Sequence, residues 1–203
     1  MTSFSPVRNP EADHLITPQN AALVVIDYQP VQVSSIASMP RQAMVANVIS
    51  TIKAAKLFGV PIILSTVNVA TGMNQPTIHQ IADLLPDVTP IDRTGLNAWE
   101  DMEFVDAIKA LDRRKLVVVA LWTEACLAFM ALDAVRDGHE VYAVIDAVGG
   151  TSEAAHDFAI KRMIQAGVIP TTWAQFVCEL QRDWIRTDTI EEAANLLHAV
   201  AGL

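Results

Sequence analysis

Six short runs along the chain are rich in β-branched and other apolar residues and are bounded by turn residues. They span 22–27, 61–67, 88–93, 115–121, 140–146 and 168–173. Each is too short for a helix and has strand composition. Between them, apolar residues recur at helical spacing. The stretch 41–58 carries Met44, Val48, Ile52 and Val45, Ile49 at i, i+4 intervals and stops at Gly59, with Pro61 just beyond. Further helices are predicted over 102–111, 123–137, 152–166, 174–184 and 189–201. The runs LVVI and LVVVAL are apolar at every position, as strands covered on both faces must be. Strands alternating with helices predict an α/β fold: a doubly wound, Rossmann-like three-layer sandwich on a six-stranded parallel sheet of order 3-2-1-4-5-6. In such a sheet the ligand crevice lies beyond the carboxyl ends of the strands, where the order reverses. The residues just after Ile26 and just after Leu121 are therefore the first place to look for chemistry.

Composition narrows the class. The chain has 203 residues, of which 52% are hydrophobic and 18% charged, so it is a folded domain and not a disordered chain. Residues 1–20 are polar, hold three prolines and read as an N-terminal arm, with one domain over 21–203. The net charge of 14 − 23 = −9 argues against nucleic acid and against an anionic membrane surface. The apolar runs fall far short of the ~18 residues of a membrane span. The N-terminus has no apolar signal region, so a cytoplasmic location is expected, where the two cysteines stay reduced. The apolar content also favours a homo-oligomer, with the segment after Trp184 as an interface element.

Several chemistries lack their motifs. The turn after the first strand reads IDYQPVQ, with no G-x-G-x-x-G, and no Walker A sequence occurs. The five histidines form no H-E-x-x-H or i, i+4 pair, and Cys126 and Cys178 are far apart, so no metal and no cofactor are expected. There is no G-x-S-x-G. What remains is a thiol and a carboxylate at the reversal point. Asp27 ends the first strand; alone it reads more readily as a turn carboxylate. Cys126 follows the fourth strand. With Thr123 as N-cap it falls in the first helical turn, where the helix dipole favours a thiolate; alone it reads more readily as a small core residue. Their coincidence in one crevice favours catalysis. Cys178, flanked by Phe176, Val177 and Leu180, reads as core. Asp146 reads as a structural cap.

The blocks LVVIDYQ (23–29), IDRTGLNAWEDMEF (91–104), VVVALWTEACLAFMALDAVRDGHEVYAVIDA (117–147) and FVCELQRDW (176–184) resemble the isochorismatase-like cysteine hydrolases, and most of all their YcaC-like subgroup. The resemblance implies a catalytic trio of Asp27, Arg93 and Cys126, with arginine where most members carry lysine. It implies an oxyanion hole from the backbone N–H groups of Trp122 and Cys126, after a cis Leu121–Trp122 bond. The D-x-H metal pattern of nicotinamide-cleaving relatives is missing from STVNVATGMNQ.

The expected function is hydrolysis of a small amide or imide C–N bond through a thioester, with Asp27 as acid and base and Arg93 lowering the thiol pKa. Gln29, Asn97, Trp99 and Thr123 are candidate substrate-binding residues, though turn or packing roles suit them too. The partner expected is a small-molecule substrate. Two alternatives stay open: vinyl-ether hydrolysis of the isochorismatase type, which needs no thiol, and a non-catalytic small-molecule-binding relative.

Overall fold

A computed structural model of the chain describes residues 8–201, with side chains through His198. The sheet has six parallel strands in the order β3-β2-β1-β4-β5-β6. They are β1 (Ala21–Ile26), β2 (Ile62–Val67), β3 (Ile91–Arg93), β4 (Lys115–Ala120), β5 (Glu140–Val144) and β6 (Ile169–Thr171). The helices are α1 (Pro30–Ser34), α2 (Arg41–Leu57), α3 (His79–Ala82), α4 (Met102–Ala110), α5 (Ala128–Arg136), α6 (Glu153–Gln165), α7 (Trp173–Gln181) and α8 (Ile190–Ala201). Helices α2, α7 and α8 pack together on one face, while α4 and α5, with α6, cover the other. This is the doubly wound sandwich that the alternating pattern predicts.

Every residue of β1 and β4 is buried. They pair in register from Ala21 with Lys115 to Ile26 with Ala120, which puts the ends of both strands side by side at the reversal point. Their side chains fill the core on both faces, and each fully buried Val, Leu or Ile contributes roughly 1.5–3 kcal/mol. The edge strands β3 and β6 have three residues each.

Residues 1–7 of the expected N-terminal arm lie outside the described residues. Residues 8–20 are fastened at the opposite end of the sheet from the reversal point. Ile16 is buried and its N–H donates to Glu179 on α7 at 2.7 Å. The ammonium of Lys115 reaches the carbonyl of His14 at 3.1 Å and also pairs with Glu140.

One expected element differs in kind. The helix predicted from 123 opens as a π-turn, Thr123–Leu127, before α5 begins. Trp122, not Thr123, is its N-cap. The turn is strapped to the segment after β5. Thr123 N–H donates to Gly149 at 2.9 Å, Thr123 Oγ1 pairs with His156 Nδ1 at 2.9 Å, and Glu124 Oε1 accepts from both N–H and Oγ1 of Thr151. Gly150 allows this approach. A Cβ there would lie 2.7 Å from Glu124 Oε2 and 3.0 Å from the backbone nitrogen of His156. Overpacking of this kind costs about 1–3 kcal/mol. Gly150→Ala should therefore lower the urea midpoint with an unchanged m-value, and an unaltered midpoint would show that the strap yields freely.

Candidate active site

Asp27 follows directly on β1. Its N–H donates to Ser65 at 3.0 Å, and its φ of 61° turns the chain sharply out of the sheet. Non-glycine residues adopt this region rarely, Asp among the more tolerant. The carboxylate is fully buried. Its partner comes from the far side of β2: Arg93, the last residue of β3, is 2% exposed and reaches across the strand between them. Nη1 donates to Asp27 Oδ1 at 2.8 Å and Nη2 to Oδ2 at 2.7 Å, a bidentate pair. Nη1 also donates to the Thr66 carbonyl at 3.0 Å and lies 3.3 Å from Ser65 Oγ; Nη2 reaches the Leu96 carbonyl at 3.3 Å. The buried Nε has no hydrogen-bond partner among the described residues. Burial pulls the guanidinium pKa down, but Asp27 and then Cys126 outweigh it, and the group stays above its ordinary value.

Cys126 completes the trio. It is 5% exposed, in the middle of the π-turn, with Asp27 and Arg93 as its charged neighbours. Burial, followed by the charge and hydrogen bond of Asp27, pushes its thiol up to about 12. The charge of Arg93 and a hydrogen bond from the Trp122 N–H act the other way without prevailing. Burial and Asp27 thus act against the low-pKa thiolate expected from the sequence, and the sulfur holds its proton more tightly than a free cysteine does. A helix terminus favours a thiolate only when no carboxylate stands closer. The Leu121–Trp122 peptide is cis, and the N–H that points at the sulfur is the one that follows it.

The four other candidates have their polar groups engaged by the protein. Gln29 is fully buried. It donates to the carbonyls of Val67 and Gln75 at 3.0 and 2.7 Å and accepts from Val67 N–H at 2.9 Å, pinning the loop after β2 beside Asp27. Asn97 accepts from Trp99 N–H and donates to Asp133 at 2.7 Å. Trp99 packs edge-on against Phe104 and His139 and donates to Asp137 at 2.8 Å. Thr123 is buried against His156. Burial lowers the His156 pKa; Asp157 and Glu124 oppose that. The structure thus makes these side chains supports of the surrounding loops, a use invisible in sequence because their partners lie far along the chain. Asp146 is buried enough to raise its pKa and accepts from Trp173 N–H at 3.0 Å, the structural role expected. Cys178, expected in the core, is exposed on the outer face of α7. Among the described residues, no group of three or more His, Cys, Asp or Glu could hold a metal ion.

The doubly wound six-stranded sheet, with a carboxylate, a guanidinium and a thiol at its reversal point, is an α/β fold of the isochorismatase type. The chain belongs to the isochorismatase family, whose domain model matches residues 21–175. It is 37% identical over 178 residues to the probable hydrolase YcaC of Escherichia coli, covering 87% of this chain and 84% of that one. The structure of YcaC from Pseudomonas aeruginosa, with hexane-2,5-diol and covalent acrylamide, matches with a TM-score of 0.82 at 29% identity, over 93% of this chain and 98% of that one. The Escherichia coli YcaC structure, an octameric hydrolase of unknown specificity, also gives 0.82, at 32% identity over 94% and 98%.

Removing one member of a buried pair leaves an uncompensated charge, at a cost of about 3–5 kcal/mol. Arg93→Met should lose that much by urea denaturation, and Asp27→Asn nearly as much. The double variant should lose clearly less than the sum, because neither charge is left alone. Additive losses would show that the two side chains act independently. Arg93→Lys keeps the charge but not the fork geometry, so it should fall between wild type and Arg93→Met.

Proposed function

We propose that the protein is a cysteine hydrolase that cleaves a small amide or imide C–N bond through a thioester. The observation that carries this reading is the meeting of Asp27, Arg93 and Cys126 in one buried site. The sulfur attacks the carbonyl carbon while its proton passes to Asp27. N–H groups of Trp122 and Cys126 receive the oxyanion. As the intermediate collapses, the C–N bond breaks and Asp27 returns the proton to the departing nitrogen. Water then attacks the thioester; Asp27 takes its proton and passes it to the sulfur as the acid leaves.

Burial and Asp27 hold the thiol well above its ordinary pKa, so forming a free thiolate before attack is costly. Passing the proton to Asp27 during attack avoids that cost, because the net charge of the site stays constant. As Asp27 takes the proton, the negative charge develops on the carbonyl oxygen, where the N–H groups of Trp122 and Cys126 receive it, while the guanidinium of Arg93 stays beside the carboxyl and the sulfur. Arg93 remains charged throughout and carries no proton itself. Acrylamide adds to nucleophiles through its C=C bond, so the covalent acrylamide of the Pseudomonas aeruginosa relative supports a reactive nucleophile in this kind of protein. The octamer of the Escherichia coli relative supports a homo-oligomer here, as do exposed apolar side chains such as Met102, Phe158 and Trp184.

A panel of small amides, assayed with mass detection of the protein, tests the reading. Cys126→Ala should abolish turnover and the acyl adduct. Asp27→Asn should lower kcat by about 10²–10⁴-fold, the range of a general acid–base group. Amide turnover that survives Cys126→Ala would overturn the thioester route.

A further inference from the structure

The loops that frame the trio are nearly free of charge. Residues 28–40 (YQPVQVSSIASMP), 68–78 (NVATGMNQPTI) and 94–99 (TGLNAW) hold no Asp, Glu, Lys or Arg. One apolar side chain on each stands out into solvent: Val31 at 55%, Met73 at 80% and Leu96 at 62% exposure. These loops are tied to one another and to the trio. Asn74 donates to Gln32, Trp122 Nε1 donates to Ser35 at 2.7 Å, and the Leu96 carbonyl accepts from Arg93. The three apolar side chains therefore project from linked loops that follow the carboxyl ends of β1, β2 and β3, the end of the sheet that holds the trio.

The cations nearby are few. Both terminal nitrogens of Arg93 are held by Asp27, so its charge is already paired, and the remaining Nε is buried. Arg41 begins α2 and donates back to the carbonyl of Ile36. Arg162 shares a cavity of about 480 Å³ beside Leu96 with two acids, Glu100 and Asp133. His79 lies exposed at the start of α3. The π-turn adds Glu124, and the whole chain carries −9. A carboxylate entering the site would lose its hydration without gaining a counter-charge, and would approach against the field of the protein.

We propose that this site selects an uncharged amide with a small apolar body and rejects substrates that carry a carboxylate. The proposal rests on Cys126 as nucleophile and adds the class of substrate that nucleophile meets.

The two cysteines make the test internal. Wild-type protein is treated in parallel with iodoacetamide, which is neutral, and iodoacetate, which is anionic, and the Cys126 and Cys178 peptides are quantified by mass spectrometry. Cys178 is exposed and reports the intrinsic difference between the reagents. The ratio of iodoacetamide to iodoacetate labelling at Cys126 should exceed that at Cys178 by tenfold or more. Met73→Lys and Val31→Lys, changes at exposed positions, should narrow the excess. Equal ratios at the two cysteines would overturn the proposal, as would failure of both reagents to reach Cys126. Hydrolysis separates the two readings. Butyramide should turn over at least tenfold faster than succinamate in wild type. Comparable rates for the two, with loss of both in Cys126→Ala, would sink the selectivity and leave the nucleophile standing. Persistence of both rates in Cys126→Ala would sink the nucleophile.

Discussion

The buried pair between Asp27 and Arg93 organises the site. A carboxylate with no exposure cannot stay ionised in a dry core without a partner, and the partner here is brought by topology. In the order β3-β2-β1, the last residue of β3 lies one strand away from the end of β1. An arginine spans that distance and crosses β2 where the Ser65 hydroxyl and Thr66 carbonyl can receive it. The left-handed turn at Asp27 and the Gln29 bonds to Val67 and Gln75 hold the carboxylate where the guanidinium arrives. Loosening any of these parts exposes a charge to a place that cannot solvate it.

The same pair sets the state of the thiol. Arg93 alone would favour a thiolate, and Asp27 alone would oppose it. Both contributions of Asp27 exceed that of Arg93, and burial, the largest influence, adds to them, so the surroundings hold the thiol above its ordinary pKa. In the proposed reaction the guanidinium keeps its charge beside both groups while a proton passes between them. Arginine suits this use because it never gives up its own proton. A lysine in its place would add a third titratable group.

Most of the fold was legible in the sequence because central parallel strands leave a strong mark. AALVVI and KLVVVA are apolar almost throughout, and Gly59, Gly138 and Gly167 close the helices before β2, β5 and β6. The trio was legible once the family resemblance was added to the reversal-point argument. Other features were not. A π-turn of five residues has the same apolar pattern as the α-helix it leads into, so Cys126 read as an ordinary first turn. The thiol pKa followed from depth and from Asp27, neither of which a local motif contains. Cys178 is different, because its signal was present. Trp173, Phe176, Val177 and Leu180 form an i, i+3, i+4, i+7 stripe that faces the core, and position 178 falls off it. Apolar neighbours in sequence were mistaken for neighbours in space.

Closure and charge work in the same direction at this site. The trio is 0%, 2% and 5% exposed, so little water remains to screen its members and their mutual attraction is strong. That strength suits the proposed reaction, in which a proton moves between Cys126 and Asp27 beside a fixed guanidinium, since small displacements then change the energy appreciably. Dryness also raises the cost of any further charge. An additional anion in such a site would compete with Asp27 for Arg93 and loosen the pair on which the geometry rests, whereas a neutral carbonyl places its charge on backbone N–H groups only while the reaction is under way. The uncharged loops around the trio thus fit the chemistry proposed at its centre: a site whose buried charges are already paired suits a substrate that leaves that pairing alone until the proposed attack by sulfur.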